Sequence, residues 1–224
     1  MKNPPTSVAS GDGHKMSDPE LSVRQSSSVS LLDYPDTDSG NAERLAALYS
    51  HRICYRSDGK CWHIYDRETG VWKEAHEDEI KGFARRTVRQ FRDELGSQRH
   101  PGDSRLEFAF KSENSSRLNN LVREARTLPK LRVPSKNFDA DPLLLNAKNG
   151  VVDLKTGMLR EHTPEDFFTR TCGAKYVEGS NAPEWEAFLR TIFDGDEELA
   201  DYVQRIAGYA LSGLATEQCM FVLK

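Results

Sequence analysis

In the stretch EDEIKGFARRTVRQFRDELGS, the cations Lys81, Arg85, Arg89 and Arg92 recur at intervals of four, four and three residues. At about 100° per residue they fall in one narrow stripe of a helix, outside the apolar arc of Ile80, Phe83, Ala84, Val88, Phe91 and Leu95. Cations held at fixed spacing on a rigid rod are what tracking a phosphate backbone requires, each displacing a counterion. The competing reading is a solvated helix face, where most charge runs belong. Charge segregation tilts the balance toward nucleic acid. Residues 80–136 carry 14 basic and 6 acidic side chains, while 1–40 carry 3 and 6, 41–79 carry 6 and 8, and 137–224 carry 8 and 15. Few acids sit at i+4 from the stripe to neutralise it. A second helix, ENSSRLNNLVREARTL, buries Leu118, Leu121, Val122, Ala125 and Leu128 and adds Arg123 and Arg126 on its flank.

Other residues with chemical capacity read more simply. Trp62 and Trp72 could stack on bases, since every nucleobase offers a π-face. The preferred reading makes them core residues of a small sheet. Asp139 and Asp141, and the run Asp194, Asp196, Glu197 and Glu198, could hold a divalent cation. The cheaper readings are turns before Pro142 and acids at a helix N-terminus. Histidines are scattered. Cys54, Cys61, Cys172 and Cys219 show no CxxC or Cys/His spacing for zinc and read as reduced thiols. A Cys54–Cys61 disulfide needs them to face each other across a hairpin. No GxSxG, HExxH or GxxxxGK[ST] pattern occurs, so no catalytic, metal or cofactor-binding residue is assigned.

The elements that must position the cations follow from periodicity and turn signals. Residues 1–38, rich in Ser, Pro, Asp and Gly, read as a disordered leader. A short helix capped by Ser39 or Asn41 follows, with Leu45, Leu48 and Tyr49 at helical spacing. ICYRSDGKCWHIYDRETGVWKE alternates between two turn signals and predicts an antiparallel meander in which Trp62, Ile64 and Trp72 compete for inward positions. Gly96 is the expected C-cap of the basic helix. After an extended Pro-containing passage, Val151–Leu154 and Met158–Arg160 pair as a hairpin around Lys155-Thr156-Gly157. Thr163 caps a helical turn with Pro164 at its start. APEWEAFLRTIF and DEELADYVQRIAGYALSG are amphipathic helices, and QCMFVLK reads as a closing strand. The expected fold is α+β, with small antiparallel meander and hairpin sheets and a predominantly helical body. Expected divisions are 1–38 (leader), 39–135 (meander and basic helices), 136–217 (helical domain) and 218–224 (first strand of a further core).

Across 224 residues the net charge is -4 and the mean hydropathy -0.67. No apolar run approaches the roughly 20 residues of a membrane span, and the N-terminus lacks a secretory h-region. The expectation is a cytoplasmic protein without membrane contact.

Three ordered stretches carry a resemblance. Asn146, Asn149-Gly150, Asp153-Leu154, Thr156-Gly157, Leu159, His162 and Pro164 form one pattern. Trp185, Phe188-Leu189 and Ile192-Phe193 form a second. Tyr202, Gln204-Arg205 and Gly208 through Gly213 form a third, before TEQCMFVL. Together they resemble phage and plasmid primase-helicases, the group that includes the poxvirus primase-helicase, over roughly residues 36–224. The resemblance implies a superfamily-3 helicase, a hexameric ATP-driven ring acting on single-stranded or forked DNA in mobile-element replication. It places this region before the ATPase core, with ATP and magnesium expected only in a full-length parent. Taken with the basic block, it leads to the expectation of DNA engagement through Lys81, Arg85, Arg89, Arg92, Arg123 and Arg126, together with ring assembly. The chain alone, without a Walker A loop, is expected not to hydrolyse ATP. The alternative is a short interaction module that caps or inhibits full-length subunits.

Overall fold

The computed structural model describes residues 30–97, 104–217 and 220. Its organising element is the meander. Strands β1 (Ile53–Arg56), β2 (Cys61–Asp66) and β3 (Val71–Ala75) pair antiparallel, and β4 (Arg132–Val133) adds to the free edge of β1 in parallel, giving the order β3-β2-β1-β4. Because strand side chains alternate between faces, the two tryptophans do not compete for one interior. Trp62, opposite Tyr55, lies with Ile53 and Ile64 beneath the helices. Trp72, opposite Tyr65, lies with Cys54 and Val133 on the other face, against Phe138 and Phe167. Both indoles are buried, at 3% and 2% exposure.

Helices α1 (Asp38–Tyr49), α2 (Glu77–Ser97) and α4 (Ser115–Ala125) cover the first face. The expected apolar arc of α2 is the buried one. Gly96 is not its cap, because the helix runs on through Ser97. A short helix that the sequence reading leaves out, α3 (Ser104–Ser112), packs Leu106, Phe108 and Ala109 against Phe91 and Leu95. Arg126, just after α4, reaches Glu77 at the start of α2, while Glu113, just before α4, reaches Arg89 and Arg92 farther along α2. The two helices therefore run antiparallel.

The leader expected through Asp38 ends earlier. Leu31–Asp33 form a turn of 3-10 helix, and Leu31 is buried against Phe91. Arg44 explains why. Its fully buried guanidinium donates to the carbonyls of Leu31 (2.7 Å), Tyr34 (2.6 Å) and Pro35 (3.1 Å), and to Asn41 Oδ1 (2.8 Å). It pairs with Asp36 at 3.0 Å and lies 3.7 Å above the Phe91 ring. Burial lowers the Arg44 pKa and Asp36 raises it, but a guanidinium starts high enough to remain charged. The cap of α1 is Thr37, whose Oγ1 accepts from Gly40 N at 3.0 Å, in place of Ser39 or Asn41. Asn41 is instead buried one turn inside, donating to Ser112 Oγ of α3 at 3.1 Å. Gly40 is required there, since a Cβ would stand 1.9 Å from Pro35 O.

Strands β5 (Leu144–Ala147), β6 (Gly150–Asp153) and β7 (Leu159–Arg160) form the second sheet, antiparallel throughout. Gly150 has φ +150°, and a Cβ on it would meet Arg160 O at 2.3 Å. The capping turn Pro164–Asp166 forms as expected, with Arg160 holding both oxygens of Asp166 at 2.6 and 2.8 Å. Burial raises the Asp166 pKa, but Arg160 and Thr163 outweigh it and hold the carboxyl below its ordinary range.

Contacts cross the division expected near Ser135. Trp72 Nε1 donates to Pro164 O (2.8 Å), Trp72 N to Phe168 O (2.7 Å), and Asn146 Nδ2 to Thr69 O (3.1 Å). The described residues from Leu31 onward belong to one compact unit. Helices α5 (Pro183–Ile192) and α6 (Glu197–Leu211) follow. Their apolar faces lie largely open, with Phe188 at 52% and Tyr202 at 50% exposure. The expected closing strand at 218–224 falls outside the described residues except for Met220. No described helix is long and apolar enough to cross a membrane.

Removing Arg44 leaves three carbonyls and the Asn41 amide oxygen without their donor. Arg44→Ala is expected to cost about 3 kcal/mol in urea unfolding, in keeping with loss of a buried, hydrogen-bonded charge. A loss below about 1 kcal/mol, the size of a surface ion pair, would mean that this hub does not hold the N-terminal segment.

Candidate nucleic-acid interface

The antiparallel packing of α2 and α4 brings three of the six candidate cations together and leaves two others on one carboxylate, so they are not equally free. Lys81, Arg123 and Arg126 come together, with Asn119, Asn120 and Glu77, around a shallow depression of about 290 Å³. Arg85 stands one turn beyond Lys81 on α2, exposed and with no ion pair among the described residues. Arg89 and Arg92 converge on a single carboxylate, Glu113, and Arg92 also lies 3.4 Å from Asp93.

The partners within the depression differ in kind. Lys81 pairs with Asp78 at 3.0 Å across one turn, and Arg126 pairs with Glu77. Among the described residues, Arg123 meets an amide and no carboxylate, donating to Asn120 Oδ1 at 2.6 Å. The Arg126 guanidinium also lies 5.7 Å from the Tyr55 ring centroid, and its Nε is buried without a hydrogen-bond partner. Exposed pairs of this kind are worth a fraction of a kcal/mol and exchange readily for phosphate oxygens. Asn119 and Asn120 were not among the sequence candidates. Their spacing ahead of Arg123 on one helix was the available signal, since amides supplement cations at phosphates. Glu113 was also missed, because it neutralises α2 from another element rather than from the next turn.

The competing candidates resolve structurally. Trp62 and Trp72 are core residues, so the meander offers no stacking platform through them. Asp139 accepts from Thr169 N (2.9 Å) and its hydroxyl, and Asp141 from Leu143 N (2.9 Å). Asp196 caps α6 through Leu199 N at 3.0 Å. His162 Nε2 sits 2.9 Å from Ala147 O, and His63 is buried beside Phe138. Burial, and then the neighbouring Arg56, lower the His63 pKa and keep the ring neutral. Cys54, Cys61 and Cys172 are free thiols. Among the described residues, no group of three or more His, Cys, Asp or Glu is placed to hold a metal ion.

An α+β module with a cationic face built from two antiparallel helices, followed by a helical pair with an open apolar face, is the class these features define. The family model described as "D5 N terminal like" matches residues 42–194, and the chain belongs to this family, the N-terminal region of primase-helicases. The chain is also 29% identical over 92 residues to "Putative helicase L207/L206" of Acanthamoeba polyphaga mimivirus. That match covers 39% of this chain and only 10% of the viral protein.

If Glu113 restrains two guanidiniums, deleting its charge exposes them. Glu113→Gln is expected to elute from immobilised heparin at higher salt than the native chain. Unchanged elution would mean that Arg89 and Arg92 already act as free cations.

Proposed function

We propose that this chain engages single-stranded or forked DNA through the α2/α4 face, as the DNA-holding and assembly part of a replicative primase-helicase. The observation that carries this reading is the convergence of Lys81, Arg123 and Arg126 from two helices on one depression, with Arg85 free on the next turn. Family membership and the viral relative support it. Binding is largely electrostatic, each cation releasing counterions from the strand. Arg89 and Arg92 extend the track roughly 16 Å along α2 from Lys81, at 1.5 Å per residue. ATP hydrolysis and its magnesium are assigned to the parent helicase, not to any residue of this module.

The test is an anisotropy titration with single-stranded DNA at two salt concentrations. The Lys81→Glu/Arg85→Glu/Arg123→Glu variant is expected to bind at least about tenfold more weakly, with a shallower salt dependence as fewer phosphates are neutralised. Unaltered affinity in that variant removes the site.

The exposed apolar faces of α5 and α6 favour self-association as the second half of the same function, through ring assembly or through capping of full-length subunits. Contiguous apolar patches of this kind mark interaction surfaces. Phe188→Asp is expected to shift a concentration-dependent mass in light scattering toward monomer without changing DNA affinity. A native chain that remains monomeric at high concentration would overturn the assembly role.

A further inference from the structure

We propose that Phe110, on α3, is a base-stacking residue that gives the cationic face its preference for single strands over duplex. This rests on the DNA-engagement reading above and adds a recognition element to it. The packing of α3 is satisfied without this residue. Leu106, Phe108 and Ala109 face α2, with the Phe108 and Phe91 rings edge-on at 6.5 Å, and Phe110 belongs to none of the core clusters. It is 60% exposed, whereas every other described aromatic between residues 30 and 179 is buried or half-buried.

Its position distinguishes it from a stray surface phenylalanine, which would need no explanation. The Arg92 guanidinium lies 5.4 Å from the Phe110 centroid, and Arg92 is the last cation of the α2 stripe. The ring is therefore held at the end of the track on which a phosphate backbone would lie. Single-strand sites combine these two parts, a cationic groove for the backbone and an aromatic for the bases, with an arginine adding a cation–π contribution. Phenylalanine has no hydrogen-bonding group, so stacking here is sequence-tolerant. It also requires an unstacked base, which a duplex does not offer. The stacking that the sequence suggested for Trp62 and Trp72 thus moves to a residue outside the sheet.

The experiment uses the full chain with a fluorescein-labelled oligothymidine and a duplex of equal length at one ionic strength. F110A is expected to lose roughly tenfold in affinity for the single strand, the scale of one lost base–aromatic stack, and less than about twofold for the duplex. F110W is expected to retain single-strand affinity and to show tryptophan quenching on binding beyond that of the native chain. Because Phe110 lies outside the core, F110A should keep the native melting temperature. Equal affinity of F110A and the native chain for oligothymidine, or equal losses on both probes, overturns the proposal. The K81E/R85E/R123E variant separates the two readings. If it loses both probes while F110A loses neither, stacking fails and DNA engagement stands; if it binds both as the native chain does, engagement itself fails and stacking with it.

Discussion

Everything in this fold is built around a small sheet that is apolar on both faces. A four-stranded sheet with one wet face would need only one cover. Here Trp62 demands a helical layer on one side, and Trp72 demands a second cover on the other. Each fully buried large apolar side chain contributes on the order of 1.5–3 kcal/mol, and the two indoles cannot both be buried by the same layer. Helices α1, α2 and α4 answer the first demand; Phe138, Phe167 and the turn after β7 answer the second. The parallel strand β4 connects the two covers, since it joins the sheet edge directly after α4.

That arrangement also determines the electrostatics. Once α2 and α4 lie antiparallel with their apolar arcs on the sheet, Lys81 of α2 comes to the same depression as Arg123 and Arg126. The helix ends place Glu77 and Glu113 where they tether Arg126 at one end and Arg89 and Arg92 at the other. Arg123 and Arg85 have no carboxylate among the described ion pairs, while Lys81 has only an exposed neighbour one turn back. The face is thus cationic with a graded availability, a property of packing rather than of composition. Arg44 guards the same layer from behind, binding the 31–36 segment to α1 and resting on Phe91 of α2.

Much of this was legible before the structure. The 3.6-residue periodicity of α2, α4, α5 and α6, the turn residues of the meander, and the Thr163-Pro164 signal are local, and local rules read them correctly. What was not legible is tertiary. The Leu31–Asp38 segment looks too polar to fold, and only the carbonyls it offers to a buried Arg44 bring it into order. Helix α3 carries a short pattern that gains meaning only against Phe91. The neutralisation of Arg89 and Arg92 comes from Glu113, more than twenty residues away in sequence, so no i+4 rule could register it. The extended Pro-containing passage suggests a division near Ser135, a passage that can equally cross one domain, and the Ser135 amide is held by Asp58 at 3.0 Å.

The proposed DNA contact lies on the α2/α4 face, and not on the hairpin sheet or the α5–α6 pair. Ultraviolet crosslinking of the full chain to a 4-thiothymidine oligonucleotide, with the attachment sites mapped by mass spectrometry, tests it most directly. Crosslinks are expected to cluster on α2, α3 and α4, around Lys81, Arg85, Phe110 and Asn119 to Arg126. Crosslinks confined to residues 144–213 would contradict it.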